Sequence, residues 1–240
     1  MKAENRQIRI DIQRDNDTIR LGLSEFVPDQ SGAIFWPFEE TLIVSDLHFE
    51  KGSSFARHGI LLPPYDTRET LLRLEHVIEI FRPRKVIVLG DSLHDVNGIE
   101  TMSNEDLTHI HRLQSGCEWI WLTGNHDPTV PVQLGGTVVK EIECQGLSFR
   151  HTPKWSQSDY EIAGHLHPVA KISRRGRQIR RRCFISNKRS LVVPAFGSYA
   201  GGMNILDDEF LPCFENQKPA IWILGEKDVF QISADRLIRD

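Results

Sequence analysis

The sequence predicts an α/β fold, on three observations. Short apolar runs of buried-strand type alternate with amphipathic helical repeats between residues 41 and 122. Each of those runs ends in a polar cluster of Asp, Asn, His and Gly. Beyond residue 137 the pattern changes to short strands joined by turns. The alternation implies strand–helix–strand units with parallel pairing. The clusters then fall at strand carboxyl ends, where active sites of open α/β sheets gather.

Residues 1–18 are polar and mixed in charge and read as a weakly ordered leader; 19–240 carry no repeat, linker or low-complexity tract and read as one domain. Ile19 to Phe26 and Gly32 to Phe38 read as strands around the turn Pro28–Gly32. Thr41–Ser45 is a buried-type strand ending in Asp46-Leu47-His48, and 49–65 reads as a loop with Gly52, Gly59, Pro63 and Pro64. Asp66 with Glu69 forms a capping-box pattern. Leu71, Leu74, Val77, Ile78 and Phe81 recur at helical spacing until Pro83 stops the helix. Lys85–Leu89 is the next strand and ends in Gly90-Asp91. Ser103 caps a second helix carrying Leu107, Ile110 and Leu113. Trp119–Leu122 is a strand that runs into Gly124-Asn125-His126-Asp127. Strands follow at Thr137–Ile142, Leu147–His151, Tyr160–Ala163, Val169–Ser173, Gln178–Ile185, Ser190–Phe196, Ala220–Leu224 and Val229–Ile232.

With 240 residues, 40% of them hydrophobic, the chain is long enough to bury a sizeable core. Four well-separated cysteines form no C-x-x-C pair, which argues against a zinc ribbon or a disulfide framework and fits a reducing compartment. Residues 1–18 lack the apolar core of a signal peptide, and no run approaches the roughly 18 apolar residues of a membrane span. A soluble cytoplasmic protein without membrane contact is the expectation. The net charge of −4 is unevenly spread: residues 174–189 hold eight Arg or Lys and no acid, leaving 21 bases against 33 acids elsewhere. Arg174, Arg175, Arg177, Arg180, Arg181 and Arg182 have two readings. They are a solvated hairpin tip, or they give sequence-independent, salt-sensitive contacts to phosphates.

Asp46 and His48, Asp91, Asn125, His151, and His165 with His167 sit at strand ends or just beyond them. They offer only oxygen and imidazole nitrogen, a set that suits Mn, Fe(II) or Zn rather than thiolate-selected ions, and there are enough of them for two ions. His94 and Asp95 follow Asp91 closely and either touch substrate or shape a loop. His58, His76, His109 and His111 fall outside the pattern and read as surface or helix-face residues. Gly197–Gly201 places its Ser one position too early for a nucleophile elbow, which excludes that serine hydrolase class. Phe184 and Tyr199 offer faces for stacking bases or for core packing, and of the tryptophans only Trp155 lies near a ligand cluster.

In superfamily order these clusters resemble the calcineurin-like metallophosphoesterases over residues 41–168. DLHFEKGSSFAR at 46–57, LPPYDTR at 62–68, GDSLHD at 90–95, IAGHLHP at 162–168, RRRCF at 180–184 and PAFGSYAGG at 194–202 further resemble a bacterial branch of ligase-associated DNA damage response endonucleases. The pattern departs at Leu93, where that branch has an aromatic residue. The resemblance implies a four-layer α/β sandwich, two facing mixed β-sheets flanked by helices. It implies two divalent ions, manganese favoured, with Asp46, His48 and His167 on the first, Asn125, His151 and His165 on the second, and Asp91 bridging. His126 would be the general acid, with Asp127 orienting its imidazole. Arg57, His94 and Asp95 are further candidates for substrate contact. The implied activity is DNA endonuclease, single-stranded DNA favoured, associated in repair with an ATP-dependent DNA ligase, a helicase and an exonuclease. The alternatives are a phosphodiesterase or phosphatase for small molecules on the same metals, or an inactive binding scaffold.

Overall fold

The computed structural model describes residues 18–174, 176–215 and 218–240, so the expected leader, Thr18 apart, and Arg175 lie outside the described residues. The chain opens with a hairpin of β1 (Ile19–Leu21) and β2 (Ser24–Pro28). One strand over 19–26 was expected, but Gly22, at φ 61°, reverses the chain there. β3 (Ile34–Trp36) ends in a single 3-10 turn, Pro37–Glu39, and leads to β4 (Thr41–Val44).

The stretch after β4 is not the loop its Gly and Ser content suggests. It folds as α1 (Lys51–Arg57), tied down by the next helix, α2 (Asp66–Phe81). Asp66 is the first residue of α2 rather than its cap, and its Oδ2 accepts from Gly52 N at 3.1 Å. Thr67 Oγ1 accepts from Glu50 N and donates to Glu50 Oε1, at 2.8 and 2.9 Å. α2 stops at Arg82, ahead of Pro83, and β5 (Lys85–Val88) follows. A short α3 (Gly98–Thr101) precedes α4 (Asn104–Gln114), whose cap Ser103 accepts from Asp106 N as the sequence suggests. β6 (Glu118–Leu122) completes the parallel core.

The run 137–142 is two strands in two different sheets. β7 (Thr137–Val139) pairs parallel with β6, whereas β8 (Ile142–Cys144) pairs antiparallel with β9 (Leu147–Arg150). Lys140 and Glu141 form the crossing between them. The rest are β10 (Tyr160–Ala163), β11 (Pro168–Arg174), β12 (Arg177–Ser186), β13 (Ser190–Val192) and β14 (Met203–Asn204), then the short α5 (Leu211–Phe214), β15 (Ala220–Leu224) and β16 (Val229–Ile232).

The first sheet runs in the order β1 to β7; the second runs β14-β11-β12-β13-β10-β9-β8, with β15 on β12 and β16 on β15. Both sheets mix parallel and antiparallel pairs. Side-chain alternation sorts the layers. Leu42, Val44, Val86, Val88, Trp119 and Trp121 pack toward α2 and α4. Ile43, Ile87, Ile120 and Leu122 face the other way, onto Phe149, Ile162, Phe184 and Leu191 of the second sheet. Phe184 is thus core and not a stacking face. Beyond the second sheet lies a thinner layer built on Phe210 and Cys213. The layers are helices, sheet, sheet and helix, the α/β sandwich expected. Leu93 is fully buried among the residues packed against the helices, so the smaller side chain still fills a core position. No helix among the described residues is long and apolar enough to cross a membrane.

Candidate metal centre

The polar clusters meet where β4, β5 and β6 end beside β9 and β10. Backbone bonds lace the loops together. Asp46 N donates to Gly90 O at 3.2 Å, His48 N to Asp91 O at 2.9 Å, Gly164 N to His151 O at 2.9 Å and Gly197 N to Asp46 O at 3.1 Å. The turns are tight. Asp46, His48, Asp91, His165 and His167 all have positive φ, between 45° and 68°. Such a conformation costs an L-residue roughly 1–2 kcal/mol, and clusters of it mark sites held in place by their surroundings. Glycine makes room at two points. A Cβ on Gly124 would lie 2.1 Å from Asp91 Oδ1, and one on Gly164 would lie 1.7 Å from Ser45 Oγ.

Two sets of ligand atoms converge. In the first, His48 Nε2 and His167 Nε2 are 3.2 Å apart, and His167 Nε2 is 3.2 Å from Asp46 Oδ1. In the second, His151 Nε2 lies 2.9 Å from Asn125 Oδ1 and 3.1 Å from His165 Nδ1. Asp91 Oδ2 stands between them, 4.0 Å from His48 Nε2 and 3.4 Å from His151 Nε2. Asp46, His48 and His167 form one group spaced to hold a metal ion; Asp91, His151 and His165 form another. His48, His94 and His126 form a third such group at the same place.

These residues fit divalent ions. Asp46 Oδ1 is buried and accepts no hydrogen bond, an orphan that costs free energy unless a cation meets it. Its twin oxygen is held by Ser45 Oγ and by His165 N, which fixes the direction of the orphan. Asp91 is held likewise, Oδ1 accepting from His126 N at 2.9 Å and leaving Oδ2 to face both groups. His151 Nδ1 donates to Leu89 O at 2.8 Å, which leaves Nε2 as the ligand atom.

The electrostatics agree. Burial would raise the Asp46 carboxyl, but His167, His151 and His48 outweigh it and hold it below the usual range. Burial pushes His48 down to about 3, and it also lowers His165, so both imidazoles are neutral at neutral pH, the form that can ligate. His151 goes the other way. Burial opposes its charge, but Asp91 and Asp46 overcome that and raise it to about 9. A protonated imidazole cannot ligate, so loading the second group must expel a proton. We therefore expect the apparent metal affinity to fall as pH drops from 9 towards 6, by up to about tenfold per unit. Calorimetric titration in buffers of differing ionisation heat checks this, and absence of proton release at pH 7 would contradict it.

His94 and His126 flank the first group, their rings stacked at 5.0 Å. His126 Nδ1 donates to His94 O at 2.7 Å, so its Nε2 is the end free to act. Asp127 does not orient His126, contrary to expectation. It is fully buried, with Oδ2 accepting from Ser92 N and Leu93 N and Oδ1 from Gly124 N. The carbonyl of His94 has taken the role assigned to it.

Arg57 and Asp95 pair with each other on the rim. The basic hairpin has its tip far from the ligands and its base, with Arg181 and Arg182 opposite Ala170 and Val169, near His167. β11 carries the chain outward from His167 at about 3.3 Å per residue, so the hairpin tip, with Arg177, lies some 20 Å along it. Arg180 donates to Gly202 O and Arg182 to Ala195 O, each at 2.6 Å, and Arg181 to Arg180 O at 3.3 Å. Tyr199 Oη donates to Pro63 O at 2.9 Å. Trp155 packs on the outer layer of the second sheet. Sequence reasoning passed over Ser45, which aims Asp46, and Lys140 and Lys154, which line a cleft beside Asn125. Only the crossing between sheets brings Lys140 there, and a single-strand reading of 137–142 conceals it.

The nuclease MPE of Pseudomonas putida is 25% identical to this chain; the match covers 91% of this chain and 100% of that one at a TM-score of 0.70. A phosphoesterase from E. coli, Yfce, is 11% identical over 80% of this chain and 98% of its own, at a TM-score of 0.40. No curated protein matches. The family model described as calcineurin-like phosphoesterase matches residues 40–172, which include all seven candidate ligand positions. On that match and this centre, the chain belongs to the calcineurin-like phosphoesterase family.

Proposed function

We propose that this phosphoesterase is a nuclease that cuts DNA internally, with single-stranded DNA its preferred substrate and manganese its working metal. The observation that carries the reading is the convergence of two ligand sets on the shared oxygen Asp91 Oδ2. The nuclease from Pseudomonas putida, similar over nearly its whole length, supports the substrate class. Bound divalent ions supply Lewis acidity to an anionic diester and to water, making attack on phosphorus feasible at neutral pH.

The residues of the chain supply the rest. Asp46, His48 and His167 hold one ion, Asn125, His151 and His165 the other, and Asp91 serves both. His126 gives the proton at Nε2 to the departing oxygen, a step typically worth 10²–10⁴-fold. His94 O keeps that ring turned so that Nε2 faces the centre. Its stacked neighbour His94 is pushed down to about 4, by burial first and then by Lys51 and His126. It therefore stays neutral and leaves the acid role to His126. The resemblance that suggested this substrate also suggests a place in DNA repair beside an ATP-dependent ligase, a helicase and an exonuclease.

Incision of circular single-stranded DNA tests the reading, because a circle offers no end to an exonuclease. Linearisation is expected with manganese, and not with the Asn125→Ala variant. A circle left intact while an aryl phosphodiester is hydrolysed would assign the centre to small substrates instead.

A further inference from the structure

A cleft of about 480 Å³ opens against the outer side of Asn125 and His151. Its walls come from both sheets. Lys140 and Glu141 lie on the crossing between β7 and β8, Arg150 ends β9, and Lys154 follows in the next loop. Three cations therefore face one carboxylate. They are not equivalent. Arg150 is half-buried and answers the buried Glu161 at 3.5 Å, so its charge is spent on the fold. Lys154 is exposed, with its Nζ 3.1 Å from Glu141. Lys140 is exposed and makes no ion pair among the described residues. The cleft thus carries surplus positive charge next to the metal centre, on side chains that no ligand role requires.

A small diester needs nothing beyond the centre itself. A nucleic-acid strand continues past the bond being cut, and each nucleotide brings another phosphate. We propose that this cleft is a second phosphate site, in which Lys140 and Lys154 hold the phosphodiester next to the scissile one on the Asn125–His151 flank. The inference rests on the nuclease reading and gives the strand a track that avoids the basic hairpin. Such contacts are blind to sequence, so they position a strand without selecting bases.

The test compares the full-length parent, a Lys140→Ala/Lys154→Ala variant and an Arg177→Ala/Arg181→Ala variant. Binding of a labelled oligothymidylate to the metal-loaded proteins is read by stopped-flow anisotropy before cutting begins. Aryl phosphodiester hydrolysis serves as the control for an intact centre. The cleft variant is expected to bind about fivefold or more weakly. Its plot of log affinity against log salt should flatten by about 0.7 per lost contact, with aryl diester turnover unchanged. The hairpin variant should match the parent. The proposal is overturned if the parent does not bind the oligonucleotide, if the cleft variant binds like the parent, if the hairpin variant takes the loss, or if aryl diester turnover falls in step with binding. Binding through the cleft by a parent that splits the aryl diester but leaves DNA uncut would sustain the phosphate site and remove the nuclease reading.

Discussion

Alanine at Asp91 is expected to lower metal-dependent diester hydrolysis by about 10³-fold or more, the scale set by losing several kcal/mol of Lewis-acid stabilisation. Asp91 Oδ2 faces both ligand sets, 4.0 Å from His48 Nε2 and 3.4 Å from His151 Nε2. Its loss leaves the first set with one carboxylate and the second with none. Metal analysis should then find fewer than two ions per chain where the parent holds two. The fold should survive, because the buried strands around the site are untouched. Circular dichroism and a urea melt provide that control, and a folded Asp91→Ala protein that still turns over aryl diesters would refute the assignment. Asn at the same position keeps an oxygen for His126 N and is expected to fall between the two.

The second large effect concerns stability. Asp127→Ala strips partners from three backbone N–H groups, the buried ones of Ser92 and Leu93 and the half-buried one of Gly124. At about 1–3 kcal/mol for each of the two buried groups, the expected loss is about 2–6 kcal/mol, a large share of the ~5–15 kcal/mol that holds a domain together. The urea midpoint should drop accordingly. A side chain that merely oriented His126 would behave differently: its removal would reshape the pH profile of turnover and spare the melt. The pH dependence carries a further signature. Burial raises the Asp127 carboxyl from 3.8 to about 6, against the pull of its backbone donors. The folded state binds that proton more tightly than the unfolded one. The contribution is therefore fullest below pH 3.8 and is lost as pH rises through 6. The gap between parent and Asp127→Ala should narrow over that interval.

Much of this was legible in the residues. Strands over 41–45, 85–89, 160–163, 220–224 and 229–232 were set by apolar runs short enough to exclude helices, and the helix ending at Pro83 by spacing and a stop. The ligand positions were legible because Asp, Asn and His at strand ends have few structural uses in such numbers. Most of what failed shares one cause. Identity and spacing do not say which way a side chain turns. Asp127 sits beside His126 in sequence, yet its carboxylate points under the loop at Ser92 and Leu93. Asp66 resembles a cap but reaches sideways to Gly52, and α1 forms because that bond and the Thr67–Glu50 pair hold it, not because its residues favour helix. Of the arginines at 180–182, whose charge suits DNA, Arg182 is half-buried and donates to Ala195 O, and Arg180 donates to Gly202 O and lies 3.7 Å from Asp240, partners that the sequence does not reveal. The run at 137–142 crosses between sheets, which hydrophobic patterning alone does not register.

The left-handed turns at Asp46, His48, Asp91, His165 and His167 bear on how such a centre decays in descent. On the proposed reading each of these residues serves as a ligand, against the preference of its own backbone. Glycine in the same place would discard the ligand and relieve the strain together. For the two aspartates one base change in the codon suffices. Mutation that removes the activity therefore relieves backbone strain, which offsets part of the cost of the hydrogen bonds it breaks. A lineage released from the need to cut would drift that way quickly.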